Sequence, residues 1–295
     1  MTVHAPAPSH SALPPISRPP AGMVVGQFVR RVLFYVAIAL LTVFFALPML
    51  WLVLAPFDAN PHLNITIPHF TLHNFVVVWQ NPYAIKSLVN GLILAVGTMI
   101  LVVVLGAAAA YALSRVRIPG RDALLYVLLL LSSIVTGTAA MVPIFLLMTD
   151  LHLINSRLGV VLVLTGGLLP AAIFILKDFM DSTPRSYEES AKVFGASPLQ
   201  ILRHITIPIA RPGLATIAVW AMVNAWGNFL VPFILLNNQD LFPSAVVVYT
   251  FYTEGGQPQL GLIAAFSLLY SIPVVVAYLV VSRRYGFRFH GGIKS

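Results

Sequence analysis

The chain has 295 residues, 59% hydrophobic and only 9% charged, with a net charge of +8, a mean hydropathy of +0.90 and no cysteine. That balance lies outside the soluble range, and the apolar residues come in runs of about 20 or more, the thickness of a bilayer's hydrocarbon core. Disulfide and thiol chemistry are excluded, and the basic residues are placed as in a polytopic membrane protein, not as in a nucleic-acid binder.

The first 22 residues are rich in Pro, Ala, Ser and His, which suits a disordered tail. The first apolar run is too long for a cleaved signal peptide. Six spans are predicted, roughly Val32–Phe57, Ser87–Leu113, Ala123–Thr149, Leu158–Met180, Gly213–Leu236 and Gln259–Ser282. The expected organisation is a tail over 1–31, an all-α membrane domain over 32–282 with a polar loop at 181–212, and a second tail over 283–295. The N-terminus, the second and fourth loops and the C-terminus hold 15 basic residues: Arg18, Arg30, Arg31, Arg115, Arg117, Arg121, Lys177, Arg185, Lys192, Arg203, Arg211, Arg283, Arg284, Arg288 and Lys294. The other side holds only Lys86 and Arg157. The positive-inside rule then places both termini and the 181–212 loop in the cytoplasm.

No Asp, Glu, Lys or Arg falls near the middle of a predicted span. That argues against an ion-coupled secondary transporter, which places ionisable groups at depth. Catalysis is not expected either, since paired catalytic carboxylates, an HExxH motif and a metal-ligand cluster are all missing from the sequence. There is no GxxxxGK[ST], so any uphill transport draws its energy from another subunit.

The stretch YEESAKVFGASPLQILRHITIP at 187–208 is a polar insert between apolar runs. Thr183 reads as an N-cap with Pro184 at the first helical position, and Glu188 and Glu189 sit early, where the helix dipole favours acids. A short helix over Pro184–Phe194 is expected, then Gly195 at positive φ. Ser197 and Pro198 start a second helix to about His204, which Pro208 and Pro212 are expected to stop. Val193, Phe194, Leu199, Ile201, Leu202 and Ile205 give the unit an apolar side. The residues alone fit either an amphipathic helix on the lipid surface or a docking element for a cytosolic partner.

Glu189-Ser190-Ala191, then Gly195, then Ile205-Thr206-Ile207-Pro208 resembles the EAA–G–I-x-L-P signature of binding-protein-dependent ABC importer permeases, with matching spacing. Further segments resemble the carbohydrate, maltose-type second-permease branch. They are Thr71–Phe75, Asn90 with Gly91 in place of Ser, Tyr111–Arg115 with Ile118–Arg121, Trp226–Phe229 with Pro232, and His290–Ser295. The resemblance implies a permease without enzymatic activity in the bacterial or archaeal cytoplasmic membrane, translocating a carbohydrate. Its implied partners are a second, homologous permease, two cytosolic ATPase subunits that carry ATP and Mg, an extracytoplasmic solute-binding protein or lipoprotein, and membrane lipid. Nucleic acid is not among them.

It also implies that the 184–204 unit is a coupling helix seated in the ATPase, with Glu188, Glu189, Ala191, Phe194, Gly195, Leu199, Ile205 and Pro208 as its residues. Glu189 would face a basic ATPase residue. Departures are Ser190 for Ala, Ile207 for Leu, and Phe194 where the family has Asp, which points to a more apolar cleft. A non-ATP-driven secondary transporter and a membrane scaffold recruiting a cytosolic partner are the alternatives. Asn90, Thr136, Asn224, Trp226 and Asn228 are candidates for lining a sugar path, against the common role of polar residues in gluing membrane helices. Asn224 and Asn228 are expected at i and i+4 on one helical face.

Overall fold

The computed structural model describes residues 21–62, 69–116, 119–135, 137–182, 184–251 and 256–285. Its helices are α1 (Ala21–Leu54), α2 (His73–Gln80), α3 (Pro82–Arg115), α4 (Arg121–Val135), α5 (Met141–Asp150) and α6 (Arg157–Asp181). They continue as α7 (Arg185–Val193), α8 (Pro198–Ile201), α9 (Ile207–Trp226), α10 (Leu230–Leu235), α11 (Ser244–Val247) and α12 (Leu260–Tyr285). The described residues contain no strand, only an isolated bridge between Asp58 and Phe70. The all-α expectation therefore holds.

The chain divides into two compact units after Trp51. The first holds most of α1, a helix that begins ahead of the expected Val32 and is apolar after Arg30 and Arg31. Residues 1–20 and 286–295, most of both expected tails, lie outside the described residues.

In the second unit α3 is the central helix. Asn81 caps it, accepting from Tyr83 N at 2.9 Å and Ala84 N at 3.3 Å, with Pro82 at N1. Its buried stripe of Ser87, Gly91, Ala95, Thr98, Gly106, Ala107, Ala110 and Ser114 is built of small residues. Small side chains let helix backbones approach where lipid supplies no hydrophobic drive. Thus a Cβ at Gly106 would stand 3.3 Å from Leu176 on α6, and one at Gly91 3.2 Å from the Trp226 ring of α9. One apolar cluster joins α3, α4, α6 and α9 near the 181–212 end, through Val102, Ala110, Leu125, Ala172, Leu176 and Ile217. A second joins α3, α5, α6, α9 and α10 farther along, through Leu94, Met148, Leu164, Trp226 and Leu235. A third packs α2, α3, α11 and α12 through Val78, Ala84, Val247 and Phe266.

Among the described residues, five helical segments are long and apolar enough to cross a membrane: Val29–Phe57, Pro82–Arg115, Arg157–Asp181, Pro198–Trp226 and Leu260–Arg283. The uninterrupted third span predicted over Ala123–Thr149 is not among them. It is split into α4, 15 residues, and α5, 10 residues, each shorter than the roughly 20 that a bilayer needs. Gly137 is extended (φ −79°, ψ 159°), and the helix restarts through a 3₁₀ turn at Thr138–Ala140. Pro143 then sits in the first turn of α5, where its missing N–H costs nothing; in an unbroken helix its ring would strike the carbonyl four residues back.

The fifth predicted span needs two corrections. Pro208 and Pro212 do not stop the helix, because residues Leu202–Thr206 form a π turn, with Ile207 N–H bonding to Leu202 O, that widens the backbone just ahead of Pro208. Helix therefore continues from Pro198 to Trp226. It ends there, ten residues short of Leu236: Gly227 closes α9, and the Asn228 side chain accepts from Val231 N at 3.0 Å at the start of α10. Asn224 and Asn228 are thus not on one helical face.

Candidate functional site

The insert folds as helix, turn, helix. α7 begins at Arg185 with Pro184 as its cap residue, one position later than predicted; Thr183, the predicted cap, lies outside the described residues. Gly195 takes φ +80°. Gly195 N bonds to Lys192 O at 2.9 Å and Ala196 N to Ala191 O at 3.0 Å, the paired bonds of a Schellman turn. A Cβ at Gly195 would meet nothing within 4 Å, so backbone conformation alone demands the glycine. Ser197 and Gln200 then form a capping box that starts α8.

The apolar residues of the insert divide between two directions. Val193, Phe194 and Leu199 are 85%, 90% and 73% exposed and surround the glycine turn. Ile201 is fully buried, and Leu202 and Ile205 are half-buried. Ala191 and Pro208 are also half-buried. The tip is therefore a greasy knob carried on an anchored base.

The base is held by charge. Glu188 is 2% exposed, whereas Glu189 beside it is exposed. Arg115 at the end of α3 donates through Nε to both Glu188 oxygens at 2.9 Å and through Nη2 to Oε1 at 2.6 Å. Thr206, in the π turn and fully buried, donates to the same Oε1 at 3.1 Å. Arg115 Nη1 also donates to Ser114 Oγ at 2.8 Å. Ser114 Oγ in turn donates to Asp181 at the end of α6, which accepts from Lys177 Nζ at 2.8 Å. One polar network thus ties the ends of α3 and α6 to α7 and to the turn that opens α9.

Sequence reasoning grouped Glu188 and Glu189 together, and the structure separates them. Arg115, Ser114, Asp181 and Thr206 were missed as site residues. A signal existed, since an acid in so apolar a chain needs a partner, and Arg115 closes another predicted span on the same side.

The path candidates are spread out. Asn90 is 1% exposed; its amide donates to Asp240 O at 2.8 Å and Phe242 O at 3.2 Å, and its oxygen accepts from Arg157 Nη2 at 2.8 Å. It pins the 236–244 segment to α3. Trp226 is 3% exposed and locked to α12: its Nε1 donates to Tyr270 O at 3.1 Å, the Tyr270 hydroxyl donates to Trp226 O at 2.8 Å, and the rings stack at 5.1 Å. Asn224 is exposed and donates to Trp220 O at 2.8 Å. Thr136 lies outside the described residues.

The described residues thus form an all-α bundle with membrane-length helices and a braced helix-turn-helix at one end. The sequence profile of the binding-protein-dependent transport system inner membrane components matches residues 103–286, and the chain belongs to that family. It is 30% identical over 243 residues to the diacetylchitobiose uptake system permease protein NgcG of Streptomyces coelicolor, covering 80% of each chain. To the galactooligosaccharides transport system permease protein GanQ of Bacillus subtilis it is 29% identical, over 90% of this chain and 95% of that one. To the trehalose transport system permease protein SugB of Mycobacterium tuberculosis it is 30% identical, over 86% and 94%. Among solved structures, a chain of a bacterial ABC transporter involved in the import of the acidic polysaccharide alginate shares the fold, with a TM-score of 0.73 at 22% identity, over 91% of this chain and 99% of that one.

Proposed function

We propose that this chain is the permease subunit of an ABC importer for a carbohydrate, and that residues 185–206 are the element through which separate ATPase subunits drive it. Membership of the family and the sugar permeases among its relatives support the substrate class. The observation that carries the coupling role is the exposed knob of Val193, Phe194 and Leu199 on a base whose charges are internally paired. An apolar anchor of this kind suits a cleft, and Glu189 at its edge suits a basic group there.

Both termini and the knob are cytoplasmic in this reading, on the side that holds the excess of Lys and Arg. A second permease completes the passage, and an extracytoplasmic binding protein delivers the sugar. The chain performs no chemistry and binds no cofactor; ATP and Mg belong to the ATPase subunits. Its own contribution is a bundle with two arrangements, biased by whatever the knob is bound to.

The test is uptake of labelled oligosaccharides by the reconstituted complex, with Leu199→Asp in parallel. Solute-stimulated ATP hydrolysis with the wild type, and loss of ATPase association with Leu199→Asp, which puts a charge on the exposed apolar knob, are expected. Uptake that ignores vanadate would instead identify a secondary transporter. ATPase association without solute-stimulated hydrolysis would identify a scaffold.

A further inference from the structure

The two neighbouring glutamates of the insert face opposite ways, and the inward one is built into the bundle. The Glu188 carboxylate meets a three-point grip from two other elements: Arg115 Nε and Nη2 from α3, and the Thr206 hydroxyl from the π turn. The Arg115 side chain is 13% exposed and that of Glu188 3%. A forked guanidinium on a carboxylate fixes distance and orientation together, as a single lysine contact does not. α7 has only nine residues, too few to hold a helix by its own propensity, so its placement depends on what grips it. A buried ion pair adds little net stability compared with an apolar pair of the same size, so stability alone does not account for this one.

We propose that the Arg115–Glu188–Thr206 cluster is a rigid joint that passes displacement of the knob into α3 and α9, with Arg115 and Glu188 as positioning residues; this rests on the reading of 185–206 as the ATPase-coupling element. The division of labour is then between adjacent residues: Glu189 faces the partner, and Glu188 faces the bundle. The network continues through Ser114 to Asp181, so α6 is drawn into the same joint. All three long helices of the central core are thereby tied at one point to the element that the motor pushes.

The experiment uses the whole reconstituted complex and measures sugar uptake and ATP hydrolysis at equal amounts of assembled complex. Arg115→Gln leaves Glu188 buried without its counter-charge and can fail to assemble, so the deciding variant is Arg115→Gln/Glu188→Gln, which neutralises both partners, keeping the shape of Glu188 and shortening Arg115. The double variant is expected to assemble and to transport about ten-fold less sugar per ATP, within the range of ordinary coupling free energies. Because the chain has no cysteine, nitroxides can be placed at Val116→Cys and at the exposed Lys192→Cys on α7 without further changes to this chain. Their separation is expected to stay constant between nucleotide-free and vanadate-trapped states in the otherwise native protein, and to broaden in the double variant.

A wild-type ratio of sugar to ATP in the assembled double variant, or an unchanged distance distribution, would overturn the joint while leaving the coupling reading intact. Retention of ATPase association and transport by Leu199→Asp would instead remove the coupling reading, and the joint with it.

Discussion

Gly195 separates a backbone requirement from a steric one. Its φ is +80°, yet a Cβ there would touch nothing within 4 Å. Any penalty on substitution therefore comes from the left-handed conformation, which costs an ordinary L-residue about 1–2 kcal/mol. A difference of that size lowers the population of the native turn roughly 5–30-fold. Asn tolerates this region through its short polar side chain, whereas β-branched Val is the worst suited to it. The series Gly195→Asn, Gly195→Ala, Gly195→Val is therefore expected to weaken ATPase binding in that order, with Asn closest to wild type although it is larger than Ala. The assay is a titration of purified ATPase subunits against the permease pair in nanodiscs, with membrane levels matched. If affinity instead fell with side-chain volume, so that Asn lay below Ala, crowding against the partner would govern the site and the conformational account would be refuted.

Three further outcomes follow from the packing. Trp226→Phe and Tyr270→Phe each remove one of the reciprocal hydrogen bonds but leave a ring to stack, so each is expected to cost about 1 kcal/mol; their double-mutant cycle in thermal unfolding should deviate from additivity by at least ~0.5 kcal/mol. Asn90→Leu strands Arg157 and two carbonyls and is expected to destabilise by about 1–3 kcal/mol, read as faster proteolysis of the 236–244 segment. A Cβ at Gly213 would collide with the Phe179 ring, so Gly213→Ala is expected to cost about 1–3 kcal/mol and to be relieved by Phe179→Ala, as unfolding midpoints in detergent would record.

Much of the architecture was legible because hydropathy and turn chemistry are local signals. The fourth predicted span, Leu158–Met180, falls within a residue of α6 at each end, since Ser156 caps the start and charge marks the end. Gly195 and the Ser197–Pro198 start were readable for the same reason. Prolines misled in both directions. Pro208 looks like a stop, but the π turn before it absorbs the missing N–H and the ring; Pro143 falls inside the predicted third span, yet with Gly137 it marks a real interruption. The joint around Glu188 was not legible, because nothing local distinguishes Glu188 from Glu189. Which one turns inward is decided by Arg115, more than seventy positions earlier, and by Thr206. Asn90 and Trp226 look like path-lining polar residues in the sequence, and only tertiary structure places their polar atoms on carbonyls of other segments.

The unbroken helical run from Pro198 to Trp226 makes the fifth membrane segment and the base of the knob a single bent shaft of 29 residues, about 43 Å long at the usual rise per residue. A shaft has no slack between its ends. Tilting one end by about 5° displaces the other by roughly 4 Å at that length, enough to part or close a layer of side chains. The Trp226–Tyr270 clasp sits at the far end, so α12 is carried with the swing there.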